Sequence, residues 1–207
     1  MRSRHSRPNW SPTTTIFKGV IKGPVMDFKS IPPKVGSPLR NCALSEARAR
    51  QVEFDLDEVH LSISWSAFDG CTFRQRLKRS YDGTWPQGSF AIEPTIYRKC
   101  TFIGIRFQTL GGFSAGQARF EDCEFKGCRF DGLFSHCADW VRCTFHGAMS
   151  GCVFYGSAPS GQPCAGKVNE ILGNDFTDVR FTNVGWRRGI DVDAQRWPTG
   201  YVPDTDF

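Results

Sequence analysis

From Ala118 to Ser150 the chain repeats every five residues, and so short a repeat leaves few folds open. The central positions are Phe120, Phe125, Phe130, Ser135, Trp140, Phe145 and Ser150. Two residues before each stand Ala118, Cys123, Cys128, Leu133, Ala138, Cys143 and Ala148, all small or aliphatic. The intervening residues are mostly polar, charged or glycine, as in Glu121-Asp122, Lys126-Gly127 and Asp131-Gly132.

A period of five matches neither the period of about 3.6 of an α-helix nor the period of about 2 of a flat strand. Fixed self-similarity marks a repeat architecture, whose units are stabilised by stacking on their neighbours. A unit of five supplies one side of a coil, so a chain that turns a corner every five residues closes a four-sided coil in about twenty. One large and one small side chain of each unit then face inward. Residues twenty apart are expected to stack, Phe125 over Phe145, Cys123 over Cys143 and Phe120 over Trp140. Successive coils would lie about 4.8 Å apart.

The segments Ala-Arg-Phe-Glu-Asp, Cys-Glu-Phe-Lys-Gly and Cys-Arg-Phe-Asp-Gly, residues 118–132, resemble the pentapeptide-repeat family. That family's pattern is a small residue, a polar residue, Leu or Phe, then two polar or small residues. The resemblance implies an all-β chain folded as a right-handed quadrilateral β-helix solenoid in a bacterial protein. Phe120, Phe125, Phe130, Trp140 and Phe145 would fill its core, with Cys123, Cys128 and Cys143 as the small partners. Some members match duplex DNA in size and rod shape, bind DNA gyrase in its place, and protect it from quinolones or toxins. Their rods are acidic, and they usually dimerise through C-terminal elements.

The small-then-large pair extends in both directions. Cys42/Leu44, Ala47/Ala49, Val52/Phe54 and Asp57/Val59 open the series, with Asp57 a poor inward residue. Leu61/Ile63, Ser66/Phe68 and Cys71/Phe73 follow a phase slip, and then come Cys100/Phe102 and Ile105/Phe107. After the main run, Cys152/Phe154 falls one residue early, and Asn174/Phe176, Val179/Phe181 and Val184/Trp186 close the series. The pairs make roughly twenty units, hence about five coils and a rod about 25 Å long. The expected organisation is a basic arm and cap over 1–41, a β-helix over 42–188, and a C-terminal tail or cap over 189–207. Turn-rich stretches at about 75–98 and 155–173 break the phase and are expected as two inserted loops.

The net charge of +5 conceals an asymmetry. Residues 1–50 carry ten Lys/Arg against two Asp/Glu, whereas the remainder carries sixteen against nineteen. The presumed rod is therefore close to neutral, which departs from the acidic members of the family and weakens DNA mimicry. Seven of the nine cysteines fall on the small position of a unit, which makes them core residues rather than a disulfide framework. An odd count with no signal peptide points to a reducing, cytoplasmic setting. No stretch approaches the ~18 apolar residues of a membrane span.

Chemistry-bearing residues are sparse. His136, Cys137, Cys143 and His146 lie close in sequence, but Cys143 is expected inward and His146 outward, so they do not converge on a metal. None of the four histidines sits in a nucleophile–base motif. The glycines between Gly111 and Gly116 lack the Lys-Ser/Thr of a phosphate loop. These features predict a protein with no catalytic activity, no metal and no cofactor. Arg74, Arg76, Lys78, Arg79 and Trp85, at the mouth of the first insertion, are the expected interaction residues. A protein partner is expected, with DNA gyrase the alternative and a homodimer through a coil end left open. Direct nucleic-acid contact through the Arg-rich leader is disfavoured, since such leaders are commonly just solvated.

Overall fold

The computed structural model describes residues 19–21, 40–56, 59–76 and 86–205. The arm at 1–18, the stretch 22–39, Asp57, Lys78, Arg79 and Trp85 lie outside the described residues. Among the described residues there are strands and no helix, and every strand ladder is parallel. Parallel neighbours need a long connection between them, and here it is the rest of one pass of the chain. One sheet runs through Arg48–Arg50, Ala67–Asp69, Thr95–Arg98, Ala118–Glu121, Asp139–Val141 and Ile171–Leu172, in chain order. A three-stranded sheet runs through Phe134–Ser135, Val153–Tyr155 and Gly185–Arg187. The twelve-stranded sheet curls. The strand Glu124–Asp131 pairs with Thr101–Ile103 along its first half and with Arg106–Phe107 along its second. These parallel strands in curled sheets are compatible with a β-helix. The six-stranded sheet records six passes rather than about five, because strands inside both expected insertions take part.

Register sets the core. Phe120 pairs with Trp140 and Phe125 with Phe145, as the period of five requires. Their rings stack in continuous rows. Phe54, Phe73, Phe102, Phe125, Phe145 and Phe176 succeed one another at centroid separations between 4.7 and 5.1 Å. Phe68, Tyr97, Phe120 and Trp140 form a second row. Each such pair adds about 0.5–1.5 kcal/mol beyond the burial of its area. The thiols fill the narrow positions and donate weakly to the preceding pass, Cys123 to Tyr97 O at 3.4 Å, Cys128 to Phe102 O at 3.3 Å and Cys143 to Phe120 O at 3.5 Å. Burial pushes the Cys128 thiol up to about 12, so it stays protonated and inert. Ser135 occupies a large-residue position for a reason of its own: its Oγ accepts a hydrogen bond from buried Trp140 Nε1 at 2.9 Å. An aromatic ring there would orphan the indole N–H.

Corners explain the polar fifth residue. Two residues after an inward side chain the backbone turns through positive φ, at Gln51, Lys99, Asp122, Arg142 and Asn183 among others. Each such non-glycine costs on the order of 1–3 kcal/mol unless its surroundings hold it. Here the corner N–H donates across to the next pass, Lys99 to Glu121 O at 2.9 Å and Asp122 to Val141 O at 3.0 Å.

Three expectations are corrected. The inward pair Ala148/Ser150 is replaced by Gly147 and Met149; Met149 is buried and Ser150 exposed. Cys128 pairs with Gly147 and Phe130 with Met149, leaving Gly127 unpaired, so this pass is one residue short and Cys152 falls early. Gly147 has φ +137°, and a Cβ there would stand 2.5 Å from Cys128 O. The first insertion is narrower than 75–98, because Gln87–Ser89 and Thr95–Arg98 lie in the ladders and bury Phe90 and Tyr97. The second is narrower than 155–173, since Val153–Tyr155 and Ile171–Leu172 are ladder strands. Turn residues such as Pro94 masked these strands in the sequence.

The tail covers the last pass. Trp197 stacks on Phe176 and Tyr201 on Phe181. Gln195 Oε1 accepts from Asn174 N, and Asn174 Oδ1 accepts from Cys143 N, so two buried amides end the cysteine row.

Four substitutions test this packing, all read by denaturant unfolding. Phe125→Ala removes a ring held between two others and is expected to cost about 3–5 kcal/mol, with Phe181→Ala, half-buried, costing less. Gly147→Ala is expected to cost about 1–3 kcal/mol. Gly127→Asn, at φ +58° with nothing within 4 Å of its added Cβ, should stay within about 1 kcal/mol of the parent.

Candidate interaction surface

The outer face of the three-stranded sheet carries the most developed surface. Leu133 and Ser135 face inward, so Phe134 between them faces out and is 44% exposed. Its backbone N–H donates to Thr109 Oγ1 at 2.7 Å, which brings it beside Leu110, 81% exposed. His136 stacks on Phe134 at 6.0 Å and meets the tilted ring of Tyr155 at 4.9 Å. Burial lowers the His136 pKa below its ordinary value, so this imidazole is disposed to be neutral.

Beside this row the chain leaves the ladder after Tyr155 and returns before Ile171. The excursion closes on itself through an antiparallel bridge between Ser157 and Val168. A disulfide joins Cys164 on it to Cys137. The two cysteines that lie off the five-residue phase are thus the pair that bonds, which corrects the expectation of a fully reduced set. Among the described residues, six in-phase cysteines are free and buried. Lys167 Nζ donates to Cys137 O at 2.7 Å and pairs with Asp139 at 3.0 Å. Asn169 Nδ2 donates to His136 O at 2.7 Å and to Tyr155 O at 2.8 Å. Its Oδ1 is buried without a partner. The excursion is therefore pinned under the aromatic row by a covalent bond, a lysine and an amide. Hydrophobic periodicity does not register Phe134, Leu110 or Tyr155, because they stand on outward positions; only the off-phase cysteines signalled the place.

Of the residues expected to form a surface around the first insertion, Arg74 and Arg76 are described, and both face the same carboxylate oxygen of Glu53. Arg74 pairs with Glu53 at 3.1 Å along its own sheet, and Arg76 is exposed with Glu53 at 3.9 Å. His146 faces Asp178 at 2.9 Å and Glu124 at 3.5 Å, while Cys143 is buried and Cys137 is in the disulfide.

Charge elsewhere is largely matched in rows. Arg50, Asp69, Arg98 and Glu121 alternate across the six-stranded sheet in register. Glu121 receives Arg98 at 3.2 Å and Arg142 at 2.9 Å, while Asp122 receives Arg142 at 2.7 Å. Burial pushes the Glu121 carboxyl up, but hydrogen bonds from Arg142 and Arg98 outweigh it and leave the pKa lowered. Arg119 adds Asp139 at 3.6 Å and Glu170 at 2.8 Å.

No protein-family model matches the chain, and neither a curated protein nor a solved structure does. No helix among the described residues is long and apolar enough to cross a membrane.

Two outcomes test this surface. Cys137→Ser with Cys164→Ser should lower stability by roughly 2–4 kcal/mol in denaturant melts under oxidising conditions, because the bond closes a loop of 27 residues in the unfolded chain. For His136, the unfolded chain binds more proton between the lowered folded pKa and about 6.5. Stability should accordingly fall as pH drops through that window, and His136→Gln should flatten this component in melts between pH 7.5 and 5.

Proposed function

We propose that this chain is a right-handed quadrilateral β-helix of the pentapeptide-repeat type, acting as a non-catalytic binding rod for another protein. The fold part of this reading is supported by parallel returns in chain order, positive-φ corners two residues after inward residues such as Tyr97, Phe120, Phe130 and Trp140, and aromatic rows at strand spacing. The single observation that carries the binding part is the row of exposed Leu110 and Phe134 with half-buried His136 and Tyr155, held beside the disulfide-anchored excursion. Interfaces draw their energy from a few aromatic anchors on well-supported backbone. A rod needs little rearrangement on binding, so little of that energy is spent on ordering.

Gyrase binding by DNA mimicry draws less support. A mimic needs a field of unneutralised carboxylates. Here Asp69, Glu121, Asp122, Asp139 and Glu170 each face an arginine or lysine. The C-terminal aromatics Trp197 and Tyr201 are turned onto the last pass of their own chain. A cytoplasmic location remains part of the proposal, with the Cys137–Cys164 bond the feature that stands against it.

The test places a photo-reactive amino acid at Leu110 and identifies the protein that cross-links in cells, followed by reconstitution from purified components. A stoichiometric complex that Phe134→Ser with Tyr155→Ser weakens at least tenfold is expected. A complex indifferent to that pair, or catalytic turnover lost with it, would overturn the reading.

A further inference from the structure

A second outward face carries a different chemistry. Arg106 pairs in register with Arg129, Arg129 with Ala148, and Ala148 with Arg180. These positions lie between inward residues, Cys128 and Phe130 about Arg129, and Val179 and Phe181 about Arg180, so the arginines form one line up the sheet. Three strand spacings separate its ends, about 14 Å. Like charges on adjacent strands repel. The carboxylates of the neighbourhood are already engaged: Asp131 by Arg106 at 2.7 Å, Glu124 by Lys126 at 2.9 Å and Asp178 by His146 at 2.9 Å. Arg129 and Arg180 are exposed and have no ion-pair partner among the described residues. Elsewhere on the molecule an alternating row such as Arg50–Asp69–Arg98–Glu121 neutralises itself. This line does not.

We propose that the line Arg106, Arg129 and Arg180 is a docking surface for the phosphate backbone of duplex nucleic acid. Guanidinium forks match phosphate oxygens. Next to the arginines stand Ala148, Ser150 and Thr182, small or hydroxylic, while the carboxylates on these strands, Glu124, Asp131, Asp175 and Asp178, are each turned to a lysine, an arginine or His146. The large exposed apolar side chains, Trp65, Ile92, Leu110, Phe134, Val168, Leu172 and Val202, all lie off these strands. A protein partner would want such anchors, and a single strand would want aromatic platforms for its bases. A duplex backbone needs neither. About 14 Å spans roughly four phosphates of one strand at about 3.4 Å of axis each. The contact reads no sequence, because it touches no base edge. It goes beyond the protein-binding reading and does not rest on it, since the two surfaces share no residue.

The test is the affinity of the full chain for a fluorescent 25-base-pair DNA duplex, measured by anisotropy between 50 and 200 mM salt. Each neutralised phosphate contributes about −0.9 to the slope of log affinity against log salt. Arg129→Gln with Arg180→Gln is expected to weaken binding at least tenfold at 50 mM salt and to make the slope shallower by about 1.8. Lys99→Gln with Arg188→Gln removes the same charge from exposed corners and should change both far less. Both pairs are exposed, and unchanged melting temperatures confirm folding. Four results would overturn the proposal: no duplex binding, equal loss from both pairs or from neither (the basic leader then carrying the contact), preference for single strands, or equal affinity for poly-glutamate. Phe134→Ser with Tyr155→Ser should leave duplex affinity unchanged, so failure here and failure of the protein-binding reading are separately visible.

Discussion

One hydrogen bond, repeated, carries the rest of the molecule: the N–H of a corner residue donates to a carbonyl of the next pass. It recurs along one edge from Gln51 to Asp69, Gly70 to Arg98, Lys99 to Glu121, Asp122 to Val141, Arg142 to Leu172 and Gly173 to Ala194. Each bond holds a backbone conformation that most side chains resist. Each also fixes the register of the pass above. Once register is fixed, inward rings such as Phe102, Phe125 and Phe145 stack in rows, and narrow positions such as Cys123 and Cys143 follow one another. A slip of one residue would turn a whole row outward, which is why the missing residue near Gly147 is absorbed at Gly127, where the strand turns through positive φ.

Much of this was legible because the inward residues are chemically distinct. Phe120, Phe125, Phe130, Trp140 and Phe145 are buried, as are Cys123, Cys128 and Cys143, where a period of five puts them. Most corners were legible as glycine, polar or charged residues, with Trp65 an exception. What escaped were positions where another constraint overrides the pattern. Gly88 pairs with Leu61, and its added Cβ would stand 1.9 Å from Leu61 O, so that pass needs glycine where the motif expects a small side chain. Tyr97 fills a phenylalanine position within a stretch that reads as a loop, with its hydroxyl donating to Phe90 O at 2.6 Å. Gly147 and Met149 replace the pair expected one residue later. The outward surfaces were hardly legible. Hydrophobic periodicity describes what turns in, whereas Phe134 and the arginine line are defined by which outward residues become neighbours across passes.

The division between inside and outside accounts for the functional reading. Free thiols and stacked rings are locked in a dry interior with raised or satisfied groups, Cys128 among them. The exterior offers flat rows whose chemistry changes from face to face. One row neutralises itself with alternating charge, one lines up Arg106, Arg129 and Arg180, and one displays aromatics next to a clamped excursion. Such a frame holds side chains at fixed spacing, suited to binding extended partners with little loss of conformational freedom.

The most direct test of the central claim is the scalar coupling across individual hydrogen bonds, measured by NMR on isotope-labelled full chain. The account predicts couplings from the amide nitrogen of Lys99 to the carbonyl carbon of Glu121, and from Asp122 to Val141. Couplings from these amides to residues three or four away in sequence would contradict it, as would couplings to the partners of an antiparallel neighbour.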